Sequence, residues 1–306
     1  MLYDLIIVGG GPAGITAGIY SARQNLKTLL ITKEFGGQVA RKAVNIENYT
    51  GFEEISGSDL IQKFENHLKR QKIDIEINEV IKLKKDKDIF IVSTKDGKSF
   101  ESKAAIVASG GDPRPLEVPG EKEFIGRGIS YCAICDGAFF SEKTVAIIGG
   151  GNAGFETAIF LSNIVKKIYI LDFCEKAIAD AENQERVKKI GKVEVITSAV
   201  LKEIKGDQFV KSIIFQDRKS QELKNLEVEG VFIQIGNQPA TSFVKDLVEF
   251  NERDEIKIEI ENFRTKTPGL FAAGDVNIGR YKQIVTACGE GAKAALAAYD
   301  YLQKIK

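Results

Sequence analysis

Leu5-Ile6-Ile7-Val8-Gly9-Gly10-Gly11-Pro12-Ala13-Gly14 is an apolar run that ends in a G-x-G-x-x-G turn. The run begins at Asp4 and reads as a buried strand, and Ile15 to Gln24 continues as a helix. Each glycine of the turn has its own task. Gly9 permits the tight turn, Gly11 lets the backbone approach a pyrophosphate, and Gly14 lets helix and strand pack closely. The helix N-terminus then offers N–H groups and a favourable dipole to the phosphates. A second strand, Thr28 to Thr32, leads to Glu34, at the spacing where an acid meets a ribose hydroxyl. A glycine-rich turn alone is a weak sign; strand, helix and acid together point to a bound dinucleotide.

The pattern occurs a second time. Gly149-Gly150-Gly151-Asn152-Ala153-Gly154 follows a strand at Thr144 to Ile148 and opens a helix running through Phe155 to Asn163. The next strand, Lys167 to Leu171, ends in Asp172. The copies occur once each, so they are related units and not a solenoid repeat. Between them, Glu76 to Val92 reads as a strand and hairpin, and Lys103 to Ser109 as a buried strand ending at Gly110-Gly111. Asp112-Pro113-Arg114-Pro115 breaks the chain and is the expected linker. Strand-like runs follow at Val193-Thr197, Val210-Phe215 and Val228-Ile235, before a second break at Gly236-Asn237-Gln238-Pro239. Leu270-Phe271-Ala272-Ala273-Gly274-Asp275 reads as a strand ending in Gly-Asp, followed by an alanine-rich helix near Glu290 to Gln303. The expected fold is α/β with two Rossmann-like dinucleotide-binding domains, the second inserted in the first. The outer domain is expected at residues 1–113 and 243–306, the inserted one at 116–240.

A chain of 306 residues has room for two cores. Hydrophobic residues make up 43% and charged residues 28%, an ordinary soluble composition. Lysine plus arginine and aspartate plus glutamate both number 43, so no net charge points to nucleic acid or an anionic membrane. No apolar run reaches the length of a membrane span. The strand-like Leu5 to Val8 follows Met1 too closely for a cleaved leader. A cytoplasmic protein is the expectation.

Four cysteines complete the pattern, two of them in Ser130-Tyr131-Cys132-Ala133-Ile134-Cys135-Asp136-Gly137. The C-x-x-C spacing lets Cys132 and Cys135 shuttle between dithiol and disulfide. The same spacing is half of a structural zinc site, which needs two more ligands. Cys174 and Cys288 are single and His67 is the only histidine, so no second ligand pair exists and the redox reading stands. In a reducing cytoplasm such a pair is catalytic. Cys174 and Cys288 read as packing residues. His67 reads as a surface residue of the polar helix pattern Asp59 to Lys69.

Several short motifs occur in one order: Gly9 to Gly14, Phe35-Gly36-Gly37-Gln38, Ile46-Glu47-Asn48-Tyr49, Cys132-x-x-Cys135-Asp136-Gly137, Ala272-Ala273-Gly274-Asp275-Val276 and Tyr281-Lys282-Gln283. Together they resemble the low-molecular-weight thioredoxin reductases along essentially the whole chain. They are similar also to the reductase portion of the alkyl hydroperoxide reductase flavoproteins. The resemblance implies FAD in the outer domain, a pyridine nucleotide in the inserted one, a homodimer, and a domain rotation that presents nucleotide and disulfide in turn to the flavin. It implies that Cys135 is the flavin-proximal sulfur, Cys132 the sulfur that attacks the partner, and Asp136 the proton donor to the leaving thiolate. For FAD it implies Gly9, Gly11, Pro12, Ala13, Gly14, Glu34, Gly37, Gln38, Asn48 and Val80, with Gly274 and Asp275 at the ribityl chain and Lys282 and Gln283 at the ring. For the nicotinamide dinucleotide it implies Gly149, Gly151, Ala153, Gly154 and Asp172, with Gly236 closing the site.

One departure bears on the donor. NADPH-using members of the family carry a His-Arg-Arg run after the second strand of the nucleotide domain. Here that place reads Asp172-Phe173-Cys174-Glu175-Lys176. A carboxylate there hydrogen-bonds the ribose hydroxyls of NADH and repels a 2′-phosphate. Phe232-Ile233-Gln234-Ile235-Gly236 and Gly289-Glu290-Gly291-Ala292-Lys293 also read closer to the alkyl hydroperoxide reductase flavoproteins, although the chain starts directly at the FAD strand without their N-terminal thioredoxin-like extension. The expected acceptor is therefore a separate thioredoxin- or glutaredoxin-like protein. Two other readings stay open at this point: the same disulfide chemistry fed by reduced ferredoxin, which the intact second fingerprint opposes, and a flavin-binding thiol redox sensor that turns over nothing.

Overall fold

Both glycine fingerprints become strand–turn–helix units in a computed structural model, which describes residues 1–42 and 46–305. The chain opens with β1 (Leu2–Gly10), α1 (Pro12–Arg23), β2 (Thr28–Phe35), α2 (Gln38–Lys42), α3 (Gly57–Lys69), β3 (Asp74–Ile77), β4 (Val80–Asp86), β5 (Ile89–Thr94) and β6 (Ser99–Val107). A short strand β7 (Gly111–Pro113) leads out of this unit. Next come β8 (Ile129–Ser130), α4 (Ala133–Asp136), β9 (Thr144–Ile148), α5 (Asn152–Leu161), β10 (Lys167–Leu171), α6 (Ala181–Ile190), β11 (Val193–Ile196), β12 (Ala199–Gly206), β13 (Val210–Asp217), β14 (Leu223–Glu227) and β15 (Gly230–Ile233). The chain returns through β16 (Asn237–Pro239) to β17 (Leu270–Ala272) and α7 (Ile284–Lys304).

The first unit holds Met1–Asp112 and Gln238–Lys306, the second Pro113–Asn237. The cuts fall at Asp112/Pro113 and Asn237/Gln238, within the two glycine- and proline-marked breaks and a few residues earlier on the return than the boundary expected from sequence.

In the first unit the strands run β3-β2-β1-β6-β5-β4. β6 is shared: Ala105 to Val107 pair in parallel with β17, whereas Ser99 to Ser102 pair antiparallel with β5. β1 lies between β2 and β6, parallel to both. Its Leu5, Ile6 and Ile7 are fully buried, as an apolar run covered on both faces must be. Pro12 takes the first position of α1, where its missing N–H costs nothing. Small residues then bring α1 and α7 together: a Cβ at Gly291 would stand 2.1 Å from Ala13 O. Ala294, Ala295, Ala298 and Leu302 of α7 join Leu5, Ile7 and Ile15 in one core cluster.

The second unit carries a parallel sheet, β11-β10-β9-β15-β8, and a separate antiparallel sheet, β12-β13-β14. Ile147, Phe155, Ala158, Ile168 and Phe232 close the core on the α5 side. Ile129, Ala146, Ile213 and Val231 close it toward the antiparallel sheet. Strands β12 and β14 are not expected from sequence, and α7 starts at Ile284, earlier than the alanine-rich stretch indicates. No helix among the described residues is long and apolar enough to cross a membrane.

Candidate functional site: two dinucleotide cradles and a cysteine pair

In the first unit, Gly9 has φ +120° and a Cβ at Gly14 would stand 1.9 Å from Gly9 O. Both residues must be glycine for the turn to close on its own strand. Gly11 differs, because a Cβ there would meet nothing within 4 Å. It is the N-cap of α1 and provides no side-chain cap. The amides of Ala13 and Gly14 lie in the first helical turn, where no helix carbonyl can accept them. The combination leaves an open, donor-lined notch that suits a pyrophosphate.

The rest of the expected FAD set gathers around the end of β17. Asp275 follows Gly274, whose φ of +79° turns the chain out of the strand. Burial pushes the Asp275 carboxyl up to about 6; Lys282 works against this, while Glu290 and Glu255 reinforce it. Gln38 Nε2 donates to Asp275 Oδ2 at 3.4 Å and to the Gly111 carbonyl. Asn48 Nδ2 donates to Gln283 Oε1 at 3.2 Å, so those two expected residues also meet. Gln283 is the N-cap of α7. Lys282 is tied back into the loop. Its ammonium donates to the carbonyls of Asp275 and Asn277 and pairs with Glu255 at 3.2 Å. Val80, at the start of β4, packs on the core cluster that includes Val92 and Val244. Gly37 has φ +53° in the turn after β2. Glu34 lies within β2, two residues beyond Thr32.

Two residues with no role in the sequence reading hold this loop. Glu290 Oε2 accepts from Gly274 N at 2.8 Å and from Asn277 Nδ2 at 2.7 Å. Asn277 is fully buried, so the pair fixes the Gly274–Asn277 turn against α7. Glu290 lies in the Gly-Glu-Gly motif visible in the sequence, which is the available signal. Glu255 carries none.

The second unit repeats the cradle. Gly149 has φ +123°, a Cβ at Gly154 would stand 1.9 Å from Gly149 O, and Gly151 is open. Gly151 caps α5 without a side-chain bond, leaving the amides of Asn152 and Ala153 in the first turn. Asp172 follows β10 and is 5% exposed. Its Oδ1 accepts from Cys174 N at 3.2 Å. Its Oδ2 is buried and has no hydrogen-bond partner. A Cβ at Gly150 would come within 2.1 Å of that oxygen, so the carboxylate lies directly against the glycine turn. An orphaned buried acceptor beside a phosphate notch fits a ribose hydroxyl. Gly236 has φ +97° and open space where a side chain would stand.

The cysteine pair lies in the same unit. Cys132 and Cys135 form a disulfide with Cα atoms 5.3 Å apart. Cys132 caps the short helix α4, its Sγ accepting from Cys135 N at 3.2 Å. Cys135 is exposed and Cys132 half-buried. Asp136 Oδ2 accepts from Ser130 Oγ at 2.6 Å, and Cys132 N donates to that same hydroxyl at 3.0 Å. Burial raises the Asp136 carboxyl, and the bond from Ser130 partly opposes it. A carboxyl raised in this way holds its proton to higher pH, which suits a donor beside two thiols. Ser130 is not legible from sequence; a serine two residues before a cysteine has no distinguishing pattern. Cys174 and Cys288 are free. Burial raises the Cys288 thiol, which receives a 3.8 Å bond from Tyr49 Oη.

The sequence matches the pyridine nucleotide-disulphide oxidoreductase family over residues 3–291. The chain belongs to that family. An alkyl hydroperoxide reductase flavoprotein of Pseudomonas aeruginosa is 42% identical over 305 residues, covering 98% of this chain and 58% of that protein. A Bacillus subtilis protein named NADH dehydrogenase is 41% identical over 300 residues, with 98% of this chain and 58% of that protein covered. The chain thus spans a little over half the length of these relatives. Thioredoxin reductase from Streptococcus pyogenes superposes with a TM-score of 0.93 at 37% identity, covering 99% of each chain. That from Giardia duodenalis does so with 0.94 at 32%, again over 99% of each. Both resemblances read from the motifs are borne out, and so is the two-Rossmann fold class. The pyridine nucleotide-disulphide oxidoreductases use FAD and a pyridine nucleotide, and this member has a cysteine pair able to form a disulfide.

Proposed function

We propose that the chain is an NADH-dependent FAD disulfide reductase that delivers electrons to a thioredoxin- or glutaredoxin-like protein. The observation that carries the reading is the Cys132–Cys135 disulfide beside a raised Asp136 carboxyl, in the same unit as a second, complete dinucleotide cradle. Bound FAD supplies the relay, accepting a hydride from the nicotinamide and giving an electron pair to a disulfide. NADH, a proton and the partner's disulfide become NAD⁺ and the partner's dithiol.

The chain's own residues set up each end of that exchange. Gly9, Gly11, Pro12, Ala13 and Gly14 would hold the flavin pyrophosphate, and Gln38, Asp275 and Gln283 would orient the rest. Gly149, Gly151, Ala153 and Gly154 would hold the second pyrophosphate, with Asp172 on the adenosine ribose. When the pair is reduced, one thiolate attacks the partner's disulfide and the second resolves the mixed disulfide. Asp136, oriented by Ser130, would donate the proton to the leaving sulfur. Exposed Ile134 and Phe139, at 59% and 45%, flank the pair and offer an apolar landing for a protein acceptor. The NADH relatives and the carboxylate of Asp172 support NADH over NADPH; a homodimer is proposed from the family resemblance alone.

Cys132→Ser and Cys135→Ser test the reading. Each should lower turnover of a protein disulfide at least about a thousandfold, because the two sulfurs act as a unit. FAD should stay bound and NADH should still bleach it in a rapid-mixing experiment. Retained turnover in either variant overturns the assignment.

A further inference from the structure

Arg218 and Phe173 are far apart in the sequence and meet at the edge of the second cradle. Arg218 begins the turn between β13 and β14, while Phe173 directly follows Asp172. The Arg218 guanidinium lies 4.0 Å from the centroid of the Phe173 ring, and its Nη1 donates to the Phe173 carbonyl at 3.0 Å. The backbone around them is also tied down: Arg218 N donates to Ser198 O at 2.7 Å, Ser198 N to Cys174 O at 2.8 Å, and Ala199 N to Asp172 O at 2.8 Å. The other end of the same loop is pinned to the glycine turn, since Ile178 N and Ala179 N both donate to Gly150 O at 3.2 Å. Asn152 and Asp180 exchange two further hydrogen bonds at 2.9 and 2.7 Å.

Phe173 nevertheless stays 58% exposed, although its neighbour Asp172 is buried. A large aromatic ring held in place and left open to water is a platform awaiting a flat partner. Its location names that partner. The acid that ends the second strand marks the adenosine ribose, so the next residue out stands where the base must lie. A purine stacks well on an aromatic ring or on a guanidinium plane.

We propose that Phe173 and Arg218 together form the adenine platform of the nucleotide site, with Arg218 a specificity-determining residue that acts by stacking. The proposal rests on the dinucleotide reading of this unit. Adenine is common to NADH, NADPH and ADP-ribose, so the platform serves all three alike and leaves the choice between NADH and NADPH to Asp172.

Titration calorimetry on the FAD-loaded protein with NADH, NADPH, ADP-ribose and reduced nicotinamide mononucleotide tests this. Arg218→Ala and Phe173→Leu should each weaken the three adenine-bearing ligands by about five- to tenfold. The NADH/NADPH ratio and the affinity for the mononucleotide should not move. Arg218→Lys keeps the charge and loses the plane, and should behave like Arg218→Ala. Flavin absorbance and thermal melting check that each variant is folded. If the wild type binds ADP-ribose and the variants bind it equally well, the platform is wrong while the nucleotide reading stands. If Arg218→Ala weakens NADPH alone, Arg218 reads a phosphate and the stacking proposal falls. If the wild type binds no adenine-bearing ligand, the nucleotide reading and the platform fail together.

Discussion

The two glycine turns are almost the same object with one exchanged neighbour. Gly9, Gly11 and Gly14 match Gly149, Gly151 and Gly154 in backbone angle, open space and close approach. The register extends the match, because Val8 pairs with Ile31 as Ile148 pairs with Leu171. Thr32 and Asp172 therefore hold equivalent places, each against the middle glycine of its turn. Thr32 uses its hydroxyl locally, donating to Glu34 O at 2.6 Å. Asp172 presents a buried carboxylate oxygen with no donor. Glu34, expected to be the counterpart of Asp172, lies two residues farther along. The phosphate end of a dinucleotide site is thus built from backbone and repeats faithfully, whereas the ribose end is built from one side chain and is free to differ.

Filling the two notches should separate the two sites completely. Gly11→Val and Gly151→Val each add a side chain where the protein itself has no atom within 4 Å, and both backbones are in the extended region that valine accepts. Gly11→Val should yield folded protein without FAD, read from the flavin spectrum after purification. Gly151→Val should keep FAD and lose NADH binding by roughly a hundredfold or more, because a branched side chain occupies the pyrophosphate's place. Equal loss of FAD in both variants would break the division between the cradles.

Asp172 sharpens the comparison with a smaller effect. One of its oxygens already accepts from Cys174 N, leaving the other for the ribose. A hydrogen bond to a charged group contributes about 1.5–3 kcal/mol, so Asp172→Ala should weaken NADH use by roughly tenfold or somewhat more. NADPH, which meets the like charge in the wild type, should gain or hold. Steady-state kinetics with both nucleotides decide it, and equal efficiency with NADPH in the wild type would remove the basis for an NADH preference.

The smallest effect concerns stability and contrasts Asp275 of the first site with the acid of the second. Burial moves the Asp275 carboxyl from 3.8 to about 6. Between those values the folded protein binds more protons than the unfolded chain, so the stability of the FAD-free protein falls as pH rises through the window. A displacement of that size corresponds to about 3 kcal/mol at most. Asp275→Asn should raise the melting temperature of the FAD-free protein at pH 8, weaken FAD binding, and lose its stability advantage near pH 4. An advantage that persists undiminished at pH 4 would contradict the buried-charge account.

The sequence made legible what backbone geometry dictates. Glycine turns, buried apolar strands and the C-x-x-C spacing each have a mechanical cause that composition cannot hide. The missed elements have causes too. In β12 the register shifts between Leu201 and Glu203, so Ala199 to Gly206 does not alternate as an intact strand would. β14 is an edge strand with Leu223 66% exposed, and its pattern lacks a buried face. The first turn of α7, Ile284-Val285-Thr286, is rich in β-branched residues that favour strands, and packing on α1 overrides that preference. Ser130, Glu255 and Arg218 could not be read because only the folded chain brings them to Asp136, Lys282 and Phe173.

The close seating of α7 on α1 sets the order in which the chain can be assembled during synthesis. Residues 1–112 leave the ribosome with β1, β2 and β6 but without β17 and the alanines that cover α1, so their core stays open. The inserted unit, in contrast, has all of its strands once Asn237 has emerged. It can close while the unit that surrounds it in sequence is still waiting for its last helix. Nascent chains of growing length should therefore gain protease resistance first between residues 113 and 237, and only later in the segment that was translated first.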